Sequence, residues 1–182
     1  MTEGEGEMRP GDLIEFKRGG PVSAILGRLL KLFERDWDGW GWHVAIAWER
    51  TYNGWYILEA IGPGVKTNYY SDATLKARTR SYHWLDKEPT VEAMGQFLQT
   101  HIDRAYDVAV YFWTGLAIII RHYFNRPIPK LLDQRFCCWE LAAEFFADMG
   151  KPIVSKYDVI IITDILRAIK ARPTRIAYGE RG

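Results

Sequence analysis

The sequence predicts an α+β domain in which a small antiparallel sheet packs against helices. Three observations carry that expectation. First, His43-Val44-Ala45-Ile46-Ala47-Trp48-Glu49 and the run from Trp55 to Ile61 are strand-prone segments joined by Thr51-Tyr52-Asn53-Gly54, and an Asn-Gly step between such runs signals a hairpin. Second, Cys138, Leu141, Ala142, Phe145 and Met149 recur at helical spacing, with Gly150 and Pro152 placed to stop the helix. Third, 48% hydrophobic and 14% aromatic residues in a chain of 182 suffice for one sizeable core and argue against disorder.

Taken in order, residues 1–8 read as a flexible lead-in and residues 9–182 as a single domain without repeats or a dividing linker. Arg9-Pro10-Gly11-Asp12 is a turn, and Leu13-Ile14-Glu15-Phe16 a short strand. Gly19-Gly20-Pro21 breaks it. Val22 to Glu34 has a helical apolar stripe, with Ser23 as a cap. Asp36-Trp37-Asp38-Gly39-Trp40-Gly41-Trp42 is a loop dense in tryptophan, which either lines a ligand groove or lids the core. After the hairpin, Gly62-Pro63-Gly64 is a tight loop and Ala77 to Leu85 a strand containing His83. Thr90 caps a helix from Val91 to about Ala105, with Met94, Phe97, Leu98 and Ile102 apolar and His101 on the solvated side. Asp107 to Tyr123 is an apolar helix ended by Asn125-Arg126-Pro127, with His122 near its C-terminal dipole. Val159 to Ile162 is ambiguous between strand and helix, and Arg175 to Tyr178 reads as an edge strand.

The charge balance, 24 basic against 23 acidic residues, argues against nucleic acid as a partner. Cysteine occurs only as the adjacent pair Cys137 and Cys138, with no CxxC or histidine-rich tract, so no metal site and no cofactor are expected. The run Val108 to Ile120 is shorter than the roughly 20 residues a membrane span needs. The N-terminus lacks an apolar signal core, so a cytoplasmic protein is the expectation.

The chemistry-bearing residues lie on two elements. In an antiparallel hairpin the start of one strand lies beside the end of the other, so His43 and Glu59 should meet within a residue or two. That pairs a base with a carboxylate able to orient it. Cys137 and Cys138 stand where a helix begins, and a helix N-terminus favours a thiolate. Counted as helix, Cys138 shares the apolar stripe, whereas Cys137 lines up with Glu140, Glu144 and Asp148 and should face water. The plain alternative is that both cysteines are small buried residues at a helix start.

The order of these features resembles the circularly permuted branch of the NlpC/P60 (papain-like) superfamily, which includes YiiX/YebB-type proteins and lecithin:retinol acyltransferase. Arg9-Pro10-Gly11-Asp12-Leu13-Ile14 is similar to the family's opening strand, and His43-Val44-Ala45-Ile46 to the strand that carries the catalytic histidine. Leu58-Glu59-Ala60 with Gly64-Val65 resembles the next strand, and Phe136-Cys137-Cys138-Trp139-Glu140-Leu141 the start of the nucleophile helix. Tyr106-Asp107 is similar to a Tyr-Asp pair near the active site of the YiiX-like group. Ala45 and Trp139 depart from the smaller residues usual at their positions.

The resemblance implies a permuted papain-like fold with Cys138 as nucleophile, on the helix face that packs against the sheet. It implies His43 as general base and acid, with Glu59 orienting it. The backbone N–H of Cys138, with Tyr106, would stabilise an oxyanion, and Trp42 and Trp139 would shape the pocket. The activity implied is a cysteine hydrolase or acyl-transfer enzyme acting on amide or ester bonds of a peptide or lipid-like acyl substrate, with peripheral lipid contact as a further expectation. Two rival expectations are a catalytically silent lipid- or peptide-binding module, gripping through Trp37, Trp40 and Trp42, and an interaction protein whose 108–120 segment forms a dimer interface.

Overall fold

The computed structural model of the chain describes residues 7–17, 40–62, 64–105, 137–153, 162–171 and 176–178, with Arg28, Lys31, Leu116 and Tyr123 as single helical positions. Strands β1 (Leu13–Lys17), β2 (Gly41–Arg50), β3 (Gly54–Ile61), β4 (Gly64–Ser71), β5 (Thr79–Tyr82) and β6 (Ile176–Tyr178) form one sheet in the order β4-β3-β2-β1-β5-β6. Every pairing in it is antiparallel. The helices among the described residues are α1 (Asp72–Arg78), α2 (Val91–His101), α3 (Cys138–Asp148) and α4 (Ile162–Lys170). The fold is therefore α+β, with a larger sheet than the sequence predicts.

The hairpin forms as its turn chemistry dictates. The Thr51 N–H and hydroxyl both donate to the Gly54 carbonyl, at 2.8 and 2.9 Å, and close the turn. Strand β4 then returns along β3 as a meander, which needs only short connections. The Pro10-Gly11 corner is zipped to β2 by Gly11 N–H to the Ala47 carbonyl at 2.8 Å and Ala47 N–H to the Asp12 carbonyl at 2.9 Å. Gly11 has φ +86, and a Cβ there would meet the Pro89 ring, so this corner requires glycine. Asp12 completes the corner by accepting from Arg9 N–H and pairing with His83 Nδ1, both at 2.7 Å.

The sheet buries both faces, because its residues alternate between two apolar clusters. Leu13, Val44, Ile46, Leu58 and Ala60 join the main core with α2, α3 and α4. Ile14, Ala45, Ala47 and Ile57 join a second cluster with Met8, Trp55 and Leu75 of α1. Ala45 and Ala47 therefore lie on the face away from the cysteine helix. The space they leave is shared with Met8, Trp55 and Leu75, and α3 lies on the branched face instead.

Helix α3 is held along its length. Leu141, Ala142, Phe145 and Phe146 are buried, and each phenylalanine contributes about 1.5–3 kcal/mol by leaving water. The helix stops by the mechanism the sequence predicts. Gly150 has φ +76, its N–H donates to the Ala147 carbonyl at 3.0 Å, and Lys151 N–H donates to the Phe146 carbonyl at 2.8 Å.

Three further expectations are corrected. His101 is 4% exposed, not solvated: it stacks on Phe97 at 4.0 Å and its Nε2 meets Glu144 of α3 at 3.1 Å. Packing between two helices widens the buried arc beyond the apolar stripe, and the Glu144 carboxylate provides the partner that lets an imidazole enter it. Residues 77–85 are not one strand; α1 ends at Arg78 and β5 begins at Thr79, with Ser71 capping α1 through Thr74 N–H. Helix α2 ends at His101, short of Ala105, where Asp103 takes φ +61. Thr90 caps it as expected, accepting from Ala93 N–H at 3.2 Å, and the C-terminal edge strand is β6.

The readings of 22–34, 36–39 and 108–122 lie outside the described residues, apart from Arg28, Lys31 and Leu116, which are helical. Among the described residues no helix is long and apolar enough to cross a membrane.

Candidate active site

The start of β2 carries His43, and the end of β3 carries Glu59. Ile46 pairs with Leu58, so continuing the register sets Ala45 opposite Glu59 and His43 one step diagonal to it on the same face. The two side chains meet: His43 Nε2 and Glu59 Oε2 are 2.7 Å apart. His43 retains 22% exposure at the side chain while Glu59 has 1%. Phe16, the register partner of His43 on β1, lies with its ring 5.5 Å from the imidazole. A register shift between Phe16 and Lys17 marks an irregularity at this end of β2.

The third group arrives from α3. Cys138 is the first residue of the helix, and its thiol lies close enough to His43 to act on the charge of the imidazole. An imidazole has two ring nitrogens. Since Nε2 faces Glu59, Nδ1 is the nitrogen left for Cys138. The order Cys138, His43, Glu59 is thus a linear chain of contacts assembled from a helix start and a hairpin.

The electrostatics follow from this chain. Burial favours neutral His43, but the negative charge of Cys138 and its hydrogen bond, then those of Glu59, more than offset this and raise His43 to about 10. The imidazole is therefore an imidazolium at neutral pH, with the Cys138 sulfur on one side and the Glu59 carboxylate on the other. Burial pushes Glu59 up, yet the bonds from His43, Asn68 and Tyr70 hold it below the ordinary carboxylate range. Asn68 Nδ2 and the Tyr70 hydroxyl both donate to Glu59 Oε1, at 2.7 and 2.8 Å. These two residues escaped the sequence reading. The signal for them is the β4 alternation, which puts residues 66, 68 and 70 on the Glu59 face once β4 is paired with β3.

Cys137 is corrected. It is fully buried and does not face water. Its backbone is extended, φ −98 and ψ 168, because it is the cap and not yet helix, so the helical count does not apply to it. The Glu140 carboxylate accepts its N–H at 3.2 Å. Burial, then the charges of Glu140 and Cys138, push the Cys137 thiol well above its usual range, which makes it unreactive as a nucleophile.

Of the remaining expected site residues, Trp139 is 2% exposed and packs inside the main core, and Trp42 is half-buried against the same core. Trp40 covers the Arg80 guanidinium at 4.0 Å. Tyr106 lies outside the described residues; the chain just before it is fixed by Val65 N–H to the Arg104 carbonyl at 2.9 Å.

His43 is one of three described histidines paired with a carboxylate, alongside His83 with Asp12 and His101 with Glu144. It alone of the three has a thiol on its other side among the contacts described. Among the described residues, no group of three or more His, Cys, Asp or Glu could hold a metal ion. Neither a known protein-family model nor a curated protein matches the sequence, so a reading of the site rests on its own geometry.

Proposed function

We propose that the chain is a cysteine hydrolase or acyl-transfer enzyme of permuted papain-like type, cleaving amide or ester bonds in a peptide or lipid-like acyl substrate. The observation that supports this most strongly is the contact chain from Cys138 through His43 to Glu59, with His43 raised to about 10. In this mechanism the Cys138 sulfur attacks the acyl carbon and the carbonyl electrons move to oxygen. The backbone N–H of Cys138, in the first turn of α3 where N–H groups lack an intrahelical acceptor, would receive that charge. As the tetrahedral intermediate collapses, the His43 imidazolium gives its proton to the leaving amine or alcohol, and a Cys138 thioester remains. His43, now neutral, takes a proton from water or from an acceptor alcohol as it attacks the thioester. The free acid or transferred acyl product leaves, and the ion pair is restored. Glu59 keeps the imidazole in the tautomer and orientation both halves require.

The test is acyl trapping with short-chain p-nitrophenyl esters, read by intact mass and peptide mapping. The reading expects a single acyl adduct on Cys138, absent in Cys138→Ser and His43→Ala. A folded protein that acquires no adduct on Cys138 contradicts it and leaves the binding-module reading.

A further inference from the structure

Glu59 engages His43 through one oxygen only. A carboxylate turns readily about its last torsion, so one bond to an imidazole does not fix its plane. Here the second oxygen, Oε1, accepts from Asn68 Nδ2 at 2.7 Å and from the Tyr70 hydroxyl at 2.8 Å. Both donors come from β4, where Asn68 pairs with Ile57 and Tyr70 with Trp55 in the regular β3–β4 ladder. They are therefore held by the sheet and not by a loop. Phe16 bridges the assembly from above, with ring centroids 5.5 Å from His43 and 5.2 Å from Tyr70.

We propose that Asn68 and Tyr70 are positioning residues of this site: they clamp Glu59 Oε1 so that Oε2 alone meets His43 Nε2, which turns His43 Nδ1 toward Cys138. The inference rests on the nucleophilic reading of Cys138 and extends it by a further tier. The chemistry of the donors fits the role. The amide nitrogen can only donate. Burial and then the charge of Glu59 keep the Tyr70 phenol protonated, so it too is a donor. Charge-assisted bonds of this length are the stronger kind, and two of them hold the carboxylate ionised in a site that excludes water. Neither residue touches the reacting sulfur in this scheme; each acts through Glu59.

The experiment is a mutant cycle on the second-order rate of iodoacetamide alkylation at Cys138, mapped by peptide mass spectrometry. Tyr70→Phe and Asn68→Leu are made in the native chain and in the Glu59→Ala background. In the native chain each slows alkylation about fivefold or more, the scale of a coupled contact. Each also moves the acidic limb of the rate profile to higher pH, because Glu59 protonates more easily without its donors. In the Glu59→Ala background neither has any further effect.

A loss of equal size in both backgrounds, or native rates in both variants, overturns the proposal while leaving the nucleophile reading intact. A native Cys138 that reacts no faster than free cysteine overturns both. Circular dichroism and melting establish folding. If Asn68→Leu does not fold, Tyr70→Phe, which deletes only a hydroxyl, decides the matter alone.

Discussion

Replacing Glu59 by glutamine probes the site with little change in shape. The carboxylate is 1% exposed and makes three bonds of 2.7, 2.7 and 2.8 Å, so the amide must fit the same network. Asn68 and Tyr70 both donate to Oε1 and favour the amide oxygen there. The amide nitrogen then faces His43 Nε2 and requires that nitrogen to accept. A neutral imidazole with Nε2 as acceptor carries its proton on Nδ1, the side of Cys138, where it cannot take the thiol proton. The substitution thus removes the negative partner of the imidazolium and also imposes the wrong tautomer. A charge-assisted hydrogen bond is worth about 1.5–3 kcal/mol, so alkylation of Cys138 at neutral pH should slow by about 10- to 150-fold. The assay is the iodoacetamide rate with residue mapping, alongside melting to show that the variant folds. A folded Glu59→Gln protein that alkylates at the native rate refutes the orienting role.

Four other outcomes are expected. Stability should depend on pH through the same pair: His43 is raised from 6.5 to about 10, so its contribution is full below about 6.5 and is lost as pH rises through about 10. Glu59 is lowered from 4.5, so its contribution is present above the ordinary carboxylate range and lost in acid; urea midpoints should be highest between these limits, and His43→Ala should flatten the alkaline decline. Gly41→Ala places a Cβ onto the Glu15 carboxylate, which Tyr82 holds at 2.7 Å, and should cost about 1–3 kcal/mol by urea unfolding; an unchanged midpoint would show that Glu15 moves freely. Gly150→Ala forces a side chain into the left-handed region at φ +76 and should cost about 1–2 kcal/mol, read as a lower melting temperature. Trp139→Ala should lower stability by about 3–5 kcal/mol, because the indole fills the core; a stable variant with altered ester selectivity would instead place Trp139 at the pocket wall.

The parts of the site legible in the sequence are those fixed by local rules. The Asn53-Gly54 turn brings the start of β2 beside the end of β3 and so places His43 near Glu59; the register shift between Ala47 and Glu49, which puts the two side chains on one face, is not legible in the sequence. Gly150 and the apolar stripe define α3 and put Cys138 at its first turn. What escaped depends on pairing across longer distances. Asn68 and Tyr70 acquire meaning only when β4 is laid against β3, and the mixed polar sequence of β4 does not announce that pairing. The burial of Cys137 follows from its extended cap conformation, which helical counting cannot represent. Helix α1 spans only Asp72–Arg78, too short for periodicity to reveal, although Ser71 before Asp72 is a cap signal. His101 is buried because Glu144 of another helix reaches it, a contact that the stripe on its own helix does not contain.

The proposed chemistry requires Cys138, and not Cys137, to be an activated thiol made reactive by His43. The most direct measurement is the rate of iodoacetamide alkylation at each cysteine at neutral pH, resolved by peptide mapping in the native protein and in His43→Ala, against free cysteine. Cys138 should be modified well ahead of free cysteine, Cys137 protected, and the advantage lost in His43→Ala. A Cys138 that reacts no faster than free cysteine, or equally fast without His43, would contradict it.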